Sequence, residues 1–469
     1  MSDWVAEELK HVDIGDKRLD RRMGVLLERL SARPSASIPK ACGGLAETLA
    51  AYRFFDNKRV TQDKVLAPHI EATIDRMRQC RVVLLLQDTT ELDYTNQPAT
   101  RGLGPLNWQN RIGLLKHLTL AVTPERLCLG VVGAKIWGRE AIGQSKEGEH
   151  KSLPIEEKES IRWLEGYERA CQMARRVAPS EVVSISDREG DIYEFFALAA
   201  KSREQSPGAA QWIVRSNHDR NIQAGQAQDA TRLRARMAAR PLMKAFELRL
   251  PRAPQRPSRV ARLELRSATV TLKAPYRADR KMPDTSVNLV WASEPTPPQG
   301  QDAVDWLLLT SLPVASAAQA RRVLDYYCCR WQIELFFRTL KSGCRIERLQ
   351  LENDKRLKPC IALYLIVAWR VLFTTVLART CAQMPCTVVF EEDEWKSAYT
   401  VFQGPPLPDA VPTLAQMMRI VARLGGDLGR KSDGPAGPST IWTGLQRVRD
   451  FTLAWRAFGP GSPGRGTYV

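Results

Sequence analysis

Val82-Val-Leu-Leu-Leu-Gln87 is the stretch that decides the fold, because this unbroken apolar run predicts a buried β-strand. A carboxylate, Asp88, follows it directly. Two more β-rich runs lie close behind, over Lys116–Thr123 and Leu127–Trp137. The three runs predict a meander of neighbouring strands with an acidic side chain at the end of the first.

Helices and strands then alternate along the chain. A long charged helix, a strand, a helix and a strand are predicted at about 155–177, 182–186, 192–201 and 211–216. Asp187 follows the second of these elements, and Glu334 lies in a later helix. The order βββαβαβ and then a helix is that of the ribonuclease-H-like fold, which brings acids from its first strand, fourth strand and late helix to one edge. We therefore expect an α/β protein with a ribonuclease-H-like core and with Asp88, Asp187 and Glu334 close together.

The run from Tyr327 to Lys341 carries an unusual set of charges. Read as one helix at about 100° per residue, it places Tyr327, Arg330, Glu334, Arg338 and Lys341 in a stripe about 80° wide. A single carboxylate among three cations and a phenol suits a polyanionic partner. The pattern predicts that the cations grip the polyanion while Glu334 holds a metal ion against its backbone.

Three carboxylates from distant parts of the chain suit phosphodiester chemistry. Cleavage needs an activated nucleophile and a stabilised leaving oxygen beside a charged phosphate, and two divalent ions about 3.5–4 Å apart provide both. Mg²⁺ and Mn²⁺ prefer carboxylate oxygens, so Asp88, Asp187 and Glu334 form the predicted metal site. The alternative, acids that merely end strands or face solvent, fits any one of the three but not easily all of them. The five histidines are too few and too scattered for a catalytic dyad.

The charge balance of the chain is strongly basic. Its 469 residues carry 69 Lys and Arg against 52 Asp and Glu, a net charge of +17. Such an excess indicates a polyanionic partner, nucleic acid before an acidic membrane, and a merely basic protein is the alternative. Ten scattered cysteines without a paired zinc pattern, and no leader sequence, predict reduced thiols in a cytoplasmic protein. The apolar segment Cys360–Ala378 resembles a membrane span, but Arg370 at its centre favours a buried core helix.

The chain divides into three predicted regions. Residues 1–75 have the pattern of three short helices with basic faces, typical of a helix-turn-helix-like DNA-binding head, with a helical cap on the catalytic domain as the alternative. Residues 76–375 form the catalytic domain. Residues 376–469 are predicted to be mainly helical, apart from an irregular proline-rich stretch over Pro385–Asp409.

A β-rich insertion is expected to interrupt the catalytic domain at about 218–312. Between Thr231 and Lys281 it holds fifteen Lys or Arg against three acids, with a proline-rich link over Pro251–Pro257. A basic run is most often a solvated face. This excess on a β-platform beside a carboxylate site favours DNA, whose phosphates would make binding steeply dependent on salt.

Several motifs together resemble one family. Tyr-x2-Arg-x3-Glu-x6-Lys, at Tyr327, Arg330, Glu334 and Lys341, resembles the YREK signature of the insertion-sequence-four family of DDE transposases. Further matching stretches are Gln87–Thr90 and Ser186–Ile192 around the first two acids, Val214–Ser216, Trp306–Val314, Gly15–Arg18, Ala51–Phe54 and Ala422–Gly426. The resemblance therefore covers nearly the whole chain in order, and the YREK run with two spaced Asp motifs is its specific part.

The resemblance implies cut-and-paste transposition through a DNA hairpin. Hydrolysis first cuts one strand, the new 3′-OH attacks the opposite strand to close the hairpin, and the hairpin is reopened before strand transfer. The implied cofactor is Mg²⁺, with Mn²⁺ as a substitute, and the implied partners are the terminal inverted repeats and target DNA. The C-terminal region would join a homodimer in the synaptic complex, in which each subunit cuts the end bound by its partner.

The implied DNA contacts are Tyr327, Arg330, Lys341, Arg215, Trp306, Trp331 and Arg338. Arg330 and Lys341 would hold phosphates, and Tyr327 would position the DNA end. Trp306 would stack against an extruded base, or else be a core aromatic, and Trp331 could share the stacking role.

Two other classes of function stay open at this point. One is a metal-dependent nuclease of the same fold that cuts but never joins DNA, which only a joined product would distinguish. The other is a non-catalytic DNA-binding regulator derived from such an enzyme. The intact acids and YREK set argue against the regulator, because a remnant would often lose one of them.

Overall fold

The structure is a computed structural model, and it describes residues 2–108, 110–140, 153–223, 231–250, 258–277, 280–430 and 436–460. The predicted proline-rich link over Pro251–Pro257 lies outside the described residues.

The N-terminal region is a cluster of helices. They are α1 Asp3–Glu8, α2 Lys17–Ala32, α3 Ile38–Cys42, α4 Leu45–Asp56 and α5 Gln62–Met77. Side chains cap the starts of the two long helices: Asp16 accepts from the Arg18 amide before α2, and Thr61 accepts from the Lys64 amide before α5. The prediction of three helices missed α1 and α3, which are too short to show helical periodicity.

One mixed sheet forms the centre of the molecule. Its strands are β1 Val82–Asp93, β2 Gly104–Pro105, β3 Ile112–Val122, β4 Cys128–Trp137, β5 Glu181–Ser186, β6 Gln211–Arg215, β7 Lys244–Leu250, β8 Arg259–Leu272, β9 Thr285–Ser293 and β10 Asp305–Thr310. β1 pairs antiparallel with β3 and parallel with β5, β5 pairs parallel with β6, and β4 pairs with β3. The order β4-β3-β1-β5-β6 is that of the predicted ribonuclease-H-like core.

The insertion continues this sheet. β10 pairs antiparallel with β6, and β9, β8 and β7 follow outward in that order. We expected a subdomain with its own β-platform, whereas the insertion strands extend the catalytic sheet at the edge of β6. The short helix α8 Leu233–Ala238 precedes them.

The sheet has an apolar core on each face. Alternate residues of β1 enter different cores: Leu84 and Leu86 pack in one, while Val83 and Leu85 pack in the other. The helices α6 Ile161–Arg176 and α7 Tyr193–Gln205 cover the second face. The first face is covered by α9 Ala317–Cys328, α10 Trp331–Arg338 and α11 Asp354–Thr380.

Helix α11 is the predicted core helix. Within the described chain it is the one helix long and apolar enough to cross a membrane, but 83% of its most apolar window is buried inside the protein. The Trp369 indole donates to the Cys128 carbonyl of β4 at 3.0 Å. α11 is thus fixed against the sheet.

The C-terminal helices pack around a third apolar cluster. They are α12 Glu392–Gln403, α13 Leu414–Leu424 and α14 Pro438–Phe458. The prediction of an irregular stretch over Pro385–Asp409 is wrong at its centre, where α12 forms. Glu391 and Glu394 make a reciprocal capping box at the start of α12, and Glu is not a usual cap residue.

Candidate active site

Asp88 lies inside β1, not after its end. β3 pairs with β1 as far as Asp93, with Asp88 opposite Leu118, so backbone pairing carries the strand beyond its apolar half. The Asp88 side chain is only 17% exposed. The strand therefore holds this carboxylate on the sheet face covered by α10.

Asp187 directly follows β5, as predicted. Its side chain accepts from the Glu189 amide at 2.9 Å and caps a single 3₁₀ turn over Arg188–Gly190. β1 and β5 run parallel, with Leu86 opposite Ile185. Asp88 and Asp187 each lie two residues beyond this pair, so the strand register places them side by side.

The helical stripe is divided among three segments, which corrects the expectation of one continuous helix. α9 ends at Cys328, and the amides of Cys329 and Arg330 bond three residues back, as in a 3₁₀ turn. α10 follows, and after it Thr339–Gly343 forms a π-helical turn that carries Lys341. π-turns are often found at functional sites.

Arg330 joins two of the predicted acids. Its Nη1 donates to Asp88 Oδ2 at 3.2 Å, and its Nη2 donates to Glu334 Oε1 at 2.7 Å. The guanidinium is mostly buried, which strengthens both contacts relative to a surface pair. Acids 246 residues apart in sequence therefore share one cation.

The charges of Asp187 and Glu334 both act on Asp88. Burial, and then the charge of Asp187, raise the pKa of Asp88 to about 7, and Glu334 adds to this effect. Arg330 opposes the rise but does not cancel it. The protein therefore supplies too little positive charge to keep the Asp88 carboxylate fully ionised at neutral pH.

The donor chemistry of this site fits a divalent cation. In the part of the chain that the structure describes, no three His, Cys, Asp or Glu side chains lie close enough together to hold a metal ion. The position of Arg330 accounts for this, because its guanidinium separates Asp88 from Glu334. Hard oxygen donors that repel one another are those that Mg²⁺ and Mn²⁺ bind, so the chemistry of this donor set fits these ions.

The aromatic and basic residues beside the acids fall into two groups. Tyr327 is buried; burial raises the pKa of its phenol, while Arg330 and Arg215 act against the rise. Arg215, at the end of β6, donates to the Asp305 carbonyl at 3.3 Å. The Trp306 ring packs edge-on to Tyr327 with centroids 5.9 Å apart, at the margin of the core. These residues line the inner wall of the site.

The second group faces solvent. Trp331 is 41% exposed, and Arg338, two turns later at the end of α10, is also exposed. Lys341 lies 3.5 Å from Glu347. The structure therefore brings Tyr327, Arg330 and Glu334 together with Asp88, and it leaves Arg338 and Trp331 pointing outward.

The basic excess of the insertion is smaller than its composition suggests. At least five of its arginines pair with carboxylates, namely Arg234, Arg259, Arg266, Arg277 and Arg280. Four of those pairs use acids from outside the Thr231–Lys281 stretch, which the count did not include. The exposed cations Lys244, Arg249 and Arg262 still give β7 and β8 a basic surface.

Sequence reasoning missed a polar network behind the acids. His117 and Arg162 contact Thr89, the residue after Asp88, and neither was expected near the site. One signal was available: Gln87 and Thr89 are polar at positions where β1 alternates toward a covered face.

Three family profiles match the chain in succession. A profile described as transposase DNA-binding matches residues 1–60, one described as transposase DDE domain matches 199–369, and one described as transposase Tn5 dimerisation domain matches 366–458. The DDE match includes Glu334, whereas Asp88 and Asp187 precede it. Their place in the site rests on the strand geometry.

Proposed function

This chain belongs to the DDE transposases with the Tn5 type of architecture, which the insertion-sequence-four family fits, and we propose that it moves a transposon by cut-and-paste transposition. Its partners are DNA and a second copy of itself, through the matched DNA-binding and dimerisation domains. The proposal extends these to terminal inverted repeats, target DNA and a synaptic homodimer acting on nucleoid DNA in the cytoplasm. It assigns residues 1–75 to end binding, 76–375 to catalysis and 376–469 to dimerisation.

One observation carries the proposal: acids from β1, the end of β5 and α10 act on a single electrostatic site. Arg330 contacts Asp88 and Glu334, and Asp187 raises the pKa of Asp88. Acids placed only to end strands or to face solvent would not converge in this way. We assign catalysis to Asp88, Asp187 and Glu334.

A DDE domain implies a divalent metal ion, and we propose Mg²⁺, with Mn²⁺ as a substitute. Asp88, Asp187 and Glu334 would hold it. When bound, the metal supplies positive charge beside the phosphate and favours ionisation of the attacking hydroxyl.

The protein's own cations position the DNA backbone. A guanidinium has five N–H donors, so Arg330 can hold two carboxylates and still donate to a phosphate oxygen. Lys341 and Arg338 lie on the outer turns, where their charges meet the phosphates further along the strand. Arg215 and Tyr327 line the inner wall and orient the end.

A stacking platform for an extruded base is the remaining element. Base–aromatic stacking contributes about 1–3 kcal/mol per base. Trp331 is the more exposed of the two candidate rings, while Trp306 packs against Tyr327. We propose that Trp331 is available first and that Trp306 becomes available when the DNA end displaces Tyr327.

Cleavage of a defined substrate tests the proposal. A duplex carrying the DNA that naturally flanks the gene is incubated with Mg²⁺ or Mn²⁺ and resolved on a denaturing gel. Hairpins and joined products from the wild type support a transposase. Nicks without any joined product indicate the nuclease, and binding without metal-dependent products indicates a DNA-binding regulator.

Asp88→Asn and Glu91→Gln are isosteric changes on the same strand, so the second is the matched control for the first. Asp88→Asn should abolish cleavage and retain end binding, as should Asp187→Ala. Glu91→Gln should cleave normally, because the Glu91 side chain accepts from the Asn107 amide, which Gln can also do. Undiminished cleavage by Asp88→Asn would remove the acids from the mechanism.

Lys341 provides a separate test of the DNA contacts. Lys341→Ala should reduce the slope of log affinity against log salt by about one unit, as for one lost phosphate contact. An unchanged slope would exclude Lys341 from the phosphate contacts.

A further inference from the structure

A polar network lies on the reverse face of the sheet, behind the acids. Side chains alternate along β1, so Asp88 faces α10 whereas Gln87 and Thr89 face α6. Both neighbours of Asp88 are therefore held from the opposite side of the sheet.

The hydrogen bonds of this network have one consistent direction. Arg162 Nε donates to Thr89 Oγ1 at 2.9 Å, and the Thr89 hydroxyl lies 3.0 Å from His117 Nδ1. His117 Nε2 lies 3.3 Å from Gln87 Oε1, and Gln87 Nε2 donates to Ser184 Oγ at 2.7 Å. Gln87 Oε1 can only accept, so the His117 proton is on Nε2 and its Nδ1 accepts from Thr89.

His117 is suited to this role because it stays neutral. Burial, followed by the charge of Arg162, lowers the pKa of His117 to about 3. Its ring packs edge-on to Trp163 with centroids 4.8 Å apart. The tautomer and the ring orientation are thus fixed at neutral pH.

The network also reaches the second acid. Arg162 Nη2 donates to Glu189 Oε2 at 2.7 Å, and the Glu189 amide donates to Asp187 Oδ1 at 2.9 Å. One guanidinium therefore contacts a neighbour of Asp88 on β1 and the residue that binds Asp187 after β5.

Helix α6 is built to approach the network closely. A Cβ atom on Gly166 would lie 1.9 Å from Gln87 Oε1, so any other residue at this position would displace the Gln87 amide. Glycine inside a helix costs about 1 kcal/mol relative to alanine. The close approach of α6 to Gln87 offsets that cost.

We propose that Arg162 and His117 are positioning residues, which set Asp88 and Asp187 at the separation that the metal site requires. This inference rests on the proposed function. Neither residue touches the DNA or the reacting atoms in this assignment; they act through Gln87, Thr89 and Glu189.

Metal affinity is the quantity that such residues control. Loss of an outer partner of a metal ligand typically costs about 10–100-fold in metal affinity or activity. We expect Arg162→Met and Thr89→Val to raise the half-saturating metal concentration about tenfold, the lower end of that range. Arg162→Lys keeps the charge and one donor, and should recover part of the loss.

Two readouts test this on the full-length protein. Mn²⁺ binding is measured from the EPR signal of the free ion, on the complex with an end duplex that lacks flanking DNA. The Mg²⁺ dependence of cleavage is measured in parallel, together with end affinity. Arg175→Met, which removes an exposed cation from the same helix, is the matched control and should change neither metal readout.

The outcomes separate this inference from the proposed function. Weaker Mn²⁺ binding with end affinity within about twofold of wild type, and with cleavage restored by excess metal, would support it. Unchanged Mn²⁺ binding by Arg162→Met and Thr89→Val would overturn the inference. Loss of end binding by both variants would also overturn it, because a general structural role would then explain their effects. If the wild type neither binds Mn²⁺ nor cleaves, the proposed function itself is wrong.

Discussion

Lys116, in the middle of β3, should destabilise the protein at neutral pH, and its replacement by Met should relieve that cost. The side chain is fully buried, and within the described chain its Nζ atom has no hydrogen-bond partner. Nζ lies 4.8 Å from the centroid of the Phe337 ring, a weak substitute for water. Burial lowers the pKa of Lys116 well below its usual value, and the nearby charge of Lys341 lowers it further.

The size of the effect follows from this environment. A buried polar group without a partner costs about 1–3 kcal/mol. Met has a similar length and leaves no cavity, so Lys116→Met should stabilise the fold by at least about 1–3 kcal/mol at pH 7. For a cooperative unit of about 150–250 residues, that corresponds to a rise of roughly 2–12 °C in Tm.

The stability of the protein should depend on pH through Lys116. Burial depresses the pKa of Lys116 in the fold, so the unfolded chain holds this proton more tightly, and wild-type stability rises with pH up to the unfolded pKa of about 10.4. The advantage of Lys116→Met should therefore shrink between pH 7 and pH 10.

Thermal melts of both proteins at pH 7 and pH 10 measure this effect. Lys135→Met serves as the control, because Lys135 is a partly exposed lysine on the neighbouring strand β4, paired with Glu165. A lower Tm for Lys116→Met at pH 7, or an equal gain at both pH values, would refute the reasoning.

Three further predictions concern other parts of the molecule. Burial lowers the pKa of His69, whose Nε2 accepts from the Val131 amide. The unfolded chain therefore binds a proton that the folded protein does not, and acidification through about pH 6.5 should lower Tm. Thermal melts of the wild type and His69→Gln at pH 7.5 and 5.5 test this. Gly166→Ala should cost about 1–3 kcal/mol, because the new methyl overlaps the hydrogen-bonded Gln87 amide, and denaturant midpoints would show it. Phe402→Glu, on the exposed face of α12 in the matched dimerisation domain, should shift the protein with bound end DNA from dimer to monomer in light scattering, and a persisting dimer would place the interface elsewhere.

Hydrophobic patterning predicted most of the core elements, because strands and long helices bury continuous apolar faces. It ended β1 at Gln87, since the following residues are polar, whereas pairing with β3 continues to Asp93. Strand pairing is a long-range property that a local pattern does not contain. The same limitation hid α12, whose start is capped by Glu391 rather than by a usual cap residue.

The membership of the candidate site stays a prediction, and its arrangement differs from the expected one. Spacing along the chain identified Asp88, Asp187 and Glu334 as a set. It could not show that Arg330 reaches Asp88 across 242 residues, because that contact depends on how α10 packs on the sheet. The assumed continuous helix was also wrong, since the 3₁₀ turn at Cys329 and the π-turn at Thr339–Gly343 rotate its two ends.

The extension of the sheet through β10, β9, β8 and β7 has a geometric consequence for any bound duplex. Neighbouring strands are rotated by about 20–25° on average, so the four steps from β6 to β7 accumulate roughly 80–100°. The basic outer strands and the acids thus belong to one continuous, twisted sheet. A duplex that contacts both surfaces would therefore have to follow the twist of the sheet.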